Sequence, residues 1–198
     1  MPAPRDARSL VLYHGPVDEP VVLRSFWIED LDAATRASIM RVCVVAHDNE
    51  GFNNLFSYLP AGARHVVAHR GEEVLSHAVC TTRWLQPAGL SILKTAFVDA
   101  VATLPAHQGL GLGSAVMRRL ADEMQAEFMI GCLQTERESF YRRLDWESWR
   151  GPLAGRDGED LIPTPEQGGV MVLRLAATPA IELDAMLTIE CQSNRIWN

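Results

Sequence analysis

Strand-like and helix-like spacings of apolar residues follow one another along this chain, and they lay out a mixed sheet with helices around it. Val21 to Ile28 reads as a first strand. Asp30 or Asp32 can cap a helix running to about Ala46, with Leu31, Ala34, Ile39, Val42 and Val45 toward the core. His47-Asp-Asn-Glu-Gly51 breaks that helix, and Asn53 to Tyr58 predicts a short second one ended by Pro60-Ala-Gly62. Arg64 to His69 and Val74 to Leu85 predict two strands joined at Arg70-Gly71-Glu72, a hairpin signal. Lys94 to Thr103 is rich in β-formers and apolar on both faces, as in a buried strand, and Pro105 stops it. An amphipathic helix follows from about Leu112 to Met124. Phe128 to Leu133 predicts a short buried strand, and Glu136 to Leu144 a helix with Phe140 and Leu144 on one side. A last pair of strands starts at Asp145-Trp146, with Gly169 to Leu175 the clearer of the two. Between them Gly151 to Gly168 reads as a long loop, a type that often carries function. Met1 to Pro20, with four prolines, reads as an irregular extension, and residues 21–198 as a single domain of class α/β or α+β.

Composition narrows this picture. A chain of 198 residues, 47% hydrophobic and 22% charged, suits one globular domain with a full core. No apolar run reaches membrane-spanning length, and the N-terminus lacks the apolar core of a signal peptide. Cys43, Cys80, Cys132 and Cys191 are scattered with no C-x-x-C, which reads as reduced thiols in a cytoplasmic protein. The six histidines form no H-E-x-x-H and no cluster with cysteine, so no metal is expected. A formal charge of −7 argues against nucleic acid and suits a cationic ligand.

The stretch with the most chemistry lies between the central strand and the amphipathic helix. Gln108-Gly-Leu-Gly-Leu-Gly113 leads directly into that helix. Glycines let the backbone turn tightly and bring N–H groups against a ligand. The helix N-terminus adds unpaired donors and the positive end of a dipole, which suits a pyrophosphate. The spacing misses the dinucleotide pattern G-x-G-x-x-G by one residue, and no Lys-Ser or Lys-Thr follows, which excludes a P-loop. An ordinary glycine-rich strand–helix turn would have the same composition.

Gln108-x-x-Gly111-x-Gly113 fits Q/R-x-x-G-x-G/A, which resembles the acetyl-CoA loop of the GNAT superfamily of N-acetyltransferases. Ser139-Phe-Tyr-Arg-Arg-Leu-Asp-Trp146 resembles the helix motif F-Y-x-x-x-G-F/W of that family, with Asp145 in the usual glycine position. The order of elements from Val21 onward is also similar. Three details resemble one branch, the aminoglycoside 2'-N-acetyltransferases. Phe97-Val-Asp-Ala-Val-Ala-Thr103 resembles their Y-V-E-G/A-V-A-V strand, Glu166-Gln-Gly-Gly-Val-Met171 their E-E-G-G-V-M loop, and Cys191 to Trp197 their C-D-x-R-x-G-D-x-W ending. Departures fall in the acceptor half. Leu55-Phe-Ser-Tyr-Leu-Pro-Ala-Gly62 stands where the branch has H-T-L-G-G, the tail is shortened, and Arg195 occupies the place of an aspartate.

The resemblance implies a GNAT fold: a central mixed, mostly antiparallel sheet, split at the acetyl-CoA site. It also implies acetyl transfer from acetyl-CoA, as co-substrate and without a metal, to the 2'-amine of an aminoglycoside in a homodimeric protein. Backbone N–H groups of Gln108, Gly109, Leu110, Gly111, Leu112 and Gly113 would hold the pyrophosphate, with the Ser114 hydroxyl beside them. Val101 and Thr103 would pair with the pantetheine arm as an added strand. Strand alternation puts Phe97, Asp99, Val101 and Thr103 on one face. Asp99 is the candidate base for the amine proton, directly or through water, and Tyr141 the candidate acid for the leaving thiolate. A buried Asp bonded to nearby backbone and a core tyrosine are the competing structural roles. Asp48, Glu50, Asp99, Glu166 and the Asn198 carboxylate are candidates to bind a polycationic acceptor, and Trp197 to stack on a sugar. Arg195 would favour an acceptor that also bears a carboxylate, as kasugamycin does. Other small amines, such as polyamines or amino sugars, and a non-catalytic acyl-CoA-binding role are the alternatives.

Overall fold

The computed structural model describes residues 10–13, 19–192 and 196–197. Contacts within the chain divide it into two compact units, one formed by the residues up to Thr81 with Ala100–Leu120, the other by Thr82–Asp99 with the residues from Ala121 onward.

In the first unit, β1 (Leu10–Tyr13), β2 (Val21–Trp27), β3 (Arg64–Arg70) and the first part of β4 (Glu73–Pro87) pair antiparallel in that order. β1 falls in the extension expected to be irregular. It was hidden because it is only four residues long and flanked by prolines and charges, so its stability comes from pairing with β2 rather than from its own pattern. Between β2 and β3 lie α1 (Ala33–His47) and the one-turn α2 (Leu55–Tyr58). Asp32 rather than Asp30 caps α1, its carboxylate accepting the Thr35 N–H at 2.7 Å. The helix ends on Asp48 in the left-handed region (φ 49°) and buries Ile39, Val42 and Cys43. The last residues of β5 (Leu93–Thr103) and the first turns of α3 (Leu112–Met124) complete this unit, with Val116, Met117 and Leu120 in the core.

In the second unit, β5 runs parallel to β6 (Ile130–Gln134), which pairs antiparallel with β10 (Val170–Arg174), and β10 with β7 (Glu147–Ser148). α4 (Glu138–Arg142) follows β6. The end of β4 carries a second set of strands. It pairs with β11 (Leu187–Glu190), which runs parallel to β8 (Leu153–Asp157), which pairs with β9 (Asp160–Pro163). The stretch expected as a long loop is therefore largely a hairpin. Asp157-Gly158-Glu159-Asp160 is its turn, with Gly158 at φ 60°, and a glycine at the first central position was the available signal. Proline and acidic content masked it. Gly155 sits where an added Cβ would lie 2.7 Å from the Cys191 sulfur and 3.1 Å from Ile196. The core of this unit gathers Leu85, Leu93, Phe97, Ile130, Trp149 and Trp197 with the inward residues of β10 and β11.

Candidate active site

The β5 strand has two regimes. Thr95 to Val98 pair in register with Ile130 to Leu133 of β6, and the registered pairing ends at Val98. Two residues later Ala100 turns left-handed at φ 48°, a conformation that residues with a Cβ rarely adopt. Phe97 joins the apolar core, whereas Asp99, Val101 and Thr103 are each half-buried. The carbonyls of Ala100 and Ala102 are taken by side chains of β4: His77 Nδ1 lies 2.9 Å from Ala100 O, and Ser76 donates to Ala102 O at 3.0 Å. The Leu104 N–H also points to β4, donating to Leu75 O at 2.9 Å. Strand geometry then directs the backbone groups of Val101 and Thr103 to the opposite edge.

The loop after β5 keeps the features that suit an anion. A single turn at Pro105–His107 leads to Gln108, which donates from Nε2 to the Thr103 carbonyl at 3.1 Å. Gly109 and Gly111 have φ of 78° and 81°, so glycine is required at both, and nothing crowds their α-carbons. Gln108, Gly109, Leu110 and Gly111 are exposed, with Leu110 at 66%, while Leu112 is buried and Gly113 and Ser114 half-buried. The Ala115 N–H donates to the Gly111 carbonyl at 3.0 Å. The N–H groups of Leu112, Gly113 and Ser114 therefore precede the first helical bond and have no partner within the helix ladder. A pyrophosphate fits this set of donors.

In the second unit, Tyr141 sits on α4 with 7% of its surface exposed, edge-on to Phe140 (4.9 Å) and Trp146 (6.1 Å). Burial pushes its phenol up to about 12; Arg137 opposes this and the Asp99 charge adds to it. The phenol thus stays protonated across the physiological range. The Asp99 charge acts on Tyr141 although 42 positions separate the two in sequence. Asp145, in the position where glycine is usual, has φ 65°. Aspartate tolerates that region better than most residues.

A cleft of about 590 Å³ opens in the same unit between the end of β6, the start of α4 and the segment 166–169. Glu136, Glu138 and Glu166 line it with Gln134, Thr135 and Ser139. Of the acceptor candidates, Glu166 lies here. Asp48 and Glu50 lie in the first unit, Asp48 as the exposed end of α1 and Glu50 accepting from Asn53 at 2.5 Å. Arg195 and Asn198 fall outside the described residues. Trp197 requires a correction. Its ring is 1% exposed, packed in the core with Nε1 donating to Thr164 Oγ1 at 3.1 Å, so it offers no face to a sugar. The nearby backbone is fastened by Arg83, which donates to the Ile196 and Glu190 carbonyls, each at 2.8 Å, and to the Glu190 carboxylate at 2.6 Å.

The histidines, screened in the sequence only for metal motifs, supply residues that reading missed. His65 and His77 are fully buried, with His65 Nδ1 and His77 Nε2 2.9 Å apart. A histidine inside the apolar run Val74 to Cys80 was the signal, since a buried polar group needs a partner. Among the described residues, no group of three or more His, Cys, Asp or Glu is placed to hold a metal ion. No helix among them is long and apolar enough to cross a membrane.

A strand, a glycine-rich loop and a helix N-terminus together make a site suited to an anion such as a phosphate group. The acetyltransferase (GNAT) domain family matches residues 30–149, well over half of the chain, and the chain belongs to that family. It is 26% identical over 173 residues to the aminoglycoside 2'-N-acetyltransferase of Mycolicibacterium fortuitum, covering 85% of this chain and 88% of that one. Its fold is that of the GNAT family N-acetyltransferase YhbS from Escherichia coli, solved in complex with CoA (TM-score 0.62, 13% identity, 91% of this chain and 94% of that one). Eis1 from Mycobacterium abscessus is also similar (TM-score 0.55, 19% identity, 67% of this chain). The chain spans about a third of the length of Eis1, 33%.

Proposed function

We propose that this chain transfers the acetyl group of acetyl-CoA to the 2'-amine of an aminoglycoside. The observation that carries the chemistry is a buried, protonated Tyr141 on which the Asp99 charge acts. Acetyl-CoA supplies an activated thioester. The Gln108 N–H is taken by the Pro105 carbonyl at 3.3 Å, so the backbone N–H groups of Gly109 to Gly113 would hold its pyrophosphate with the Ser114 hydroxyl beside them, and Val101 and Thr103 would pair with its pantetheine arm. Asp99 accepts the proton that the attacking amine must lose, directly or through one water. The new C–N bond replaces the C–S bond, and Tyr141 gives its proton to the departing sulfur. Solvent then reprotonates the phenol and takes the proton from Asp99. The relative from Mycolicibacterium fortuitum and the acidic cleft containing Glu166 support a polycationic acceptor. Arg195 supports one that carries a carboxylate, of the kasugamycin kind. We further expect a homodimer acting in the cytoplasm.

A second reading, acetylation of another small amine, is favoured by the burial of Trp197, which removes one sugar-stacking surface. A free-thiol assay of CoA release against kasugamycin, gentamicin, tobramycin, amikacin and spermidine separates the two. Turnover with the aminoglycosides alone is the expected result. Turnover confined to spermidine would replace the acceptor assignment, and CoA binding with no turnover on any amine would leave an acyl-CoA-binding member of the family.

A further inference from the structure

The buried histidine pair ends on one atom, and the direction of every hydrogen bond in it follows. The Ala100 carbonyl can only accept, so His77 Nδ1, 2.9 Å away, carries the hydrogen. In a neutral ring Nε2 is then the acceptor, and His65 Nδ1–H donates to it across 2.9 Å. His65 Nε2 is left without a hydrogen and has no hydrogen-bond partner among the described residues, with the Phe56 ring stacked on the imidazole at 5.5 Å. The Cys43 sulfur lies 3.8 Å from the same carbonyl and 3.6 Å from His77 Nδ1, so its S–H is a second, weaker donor. One residue before His77, Ser76 holds the Ala102 carbonyl at 3.0 Å and stands 2.8 Å from Thr103 Oγ1.

An apolar pair would fill this part of the core without leaving a buried nitrogen unpaired. What the polar chain accomplishes is local: it fastens the one residue of β5 whose backbone is left-handed. Ala100 has a Cβ, so that conformation needs support from its surroundings. Reversing it would redirect the peptide between Ala100 and Val101, and with it the outward groups of Val101 and Thr103.

We propose that His77 is a positioning residue for the acyl donor: through its hydrogen bond to the Ala100 carbonyl it holds the left-handed turn from which Val101 and Thr103 present their backbone to the pantetheine arm. His65 orients His77 by fixing its tautomer. This rests on the acetyl-CoA reading given above, and needs no particular amine.

The test is CoA affinity by calorimetry, with the KM for acetyl-CoA and the melting temperature. It compares the wild-type protein with His77→Asn, His77→Gln, His77→Leu, Ala100→Gly and the double variant that combines His77→Leu with Ala100→Gly. Asparagine can place an N–H where Nδ1–H stands, and glutamine reaches instead toward the Nε2 position. His77→Asn should keep CoA affinity within about twofold, whereas His77→Gln and His77→Leu should weaken it about tenfold. Glycine adopts the left-handed turn unaided, so Ala100→Gly should restore most of the affinity lost in His77→Leu. A structural role alone would lower the melting temperature of His77→Leu with CoA affinity unchanged, and that result overturns the proposal. Equal losses in His77→Asn and His77→Gln, or no recovery in the double variant, overturn it too. If His77→Leu does not fold, the Asn and Gln pair decides. Absence of CoA binding by the wild-type protein would instead overturn the acetyl-CoA reading itself, and the positioning role with it.

Discussion

Tyr141 is held as a phenol by burial, so its acidity is available only when a stronger base than water appears beside it, as a thiolate would. Tyr141→Phe should lower kcat by about 10²-fold, within the range of general-acid effects, with little change in the KM for acetyl-CoA. Because its folded-state value is raised toward about 12, Tyr141 should contribute no loss of rate below about pH 10; an alkaline decline below that would come from another group. Steady-state rates across pH check both statements. At Asp145 the substitution relative to the usual glycine has a cost rather than a role: its φ of 65° carries a penalty for any Cβ. Asp145→Gly should be neutral or stabilising by up to about 1 kcal/mol in urea unfolding, with turnover unchanged.

Elements whose own residues determine them were legible in the sequence. The amphipathic period of α3 marks it from Leu112 to Met124, as the structure has it, and the glycine loop is legible because positive φ at Gly109 and Gly111 demands that residue type. Elements defined by a distant partner were not. β11 is four residues in the tail whose pattern says little until β4 and β8 flank it, and β1 depends in the same way on β2. Trp197 belongs with these. Its hydrogen bond to Thr164 and the grip of Arg83 on Ile196 join segments more than 30 positions apart, so a stacking residue and a core residue look alike in sequence. Trp197→Ala should cost about 3–5 kcal/mol of stability, measured by denaturant unfolding, as for a buried aromatic truncated to a cavity.

Across the molecule, the family was legible because its donor-side signals are backbone signals written in short motifs. The proposed acceptor residues are side chains on separate elements, so Asp48, Glu50 and Glu166 were nameable as acids but not assignable to one cleft. Only the surroundings of Glu166 became clear, with Glu136 and Glu138 beside it. The response of the whole fold to acid follows from the histidine pair. His77 is lowered to about 4 and His65 to about 2, in both chiefly by desolvation; the partner ring and Arg36 contribute to the lowering at His65, while at His77 the Ala100 bond partly offsets it and His47 adds to it. Unfolded histidine binds a proton near pH 6.5, so in the window below that the unfolded chain takes up more protons than the folded one. Stability is then complete above about pH 6.5 and falls as pH drops toward 4. The melting temperature should decline between about pH 7 and about pH 4.5, and decline less in His77→Asn.

The burial of Trp197 also bears on how lesions in the corresponding gene would behave. A nonsense codon at position 197 would spare Asp99, Tyr141 and the whole glycine loop, yet it would remove one of the largest fully buried side chains in the protein. Such an allele would lose function through failed folding rather than impaired chemistry. Screens that score damage by its distance from the reacting residues would misjudge it.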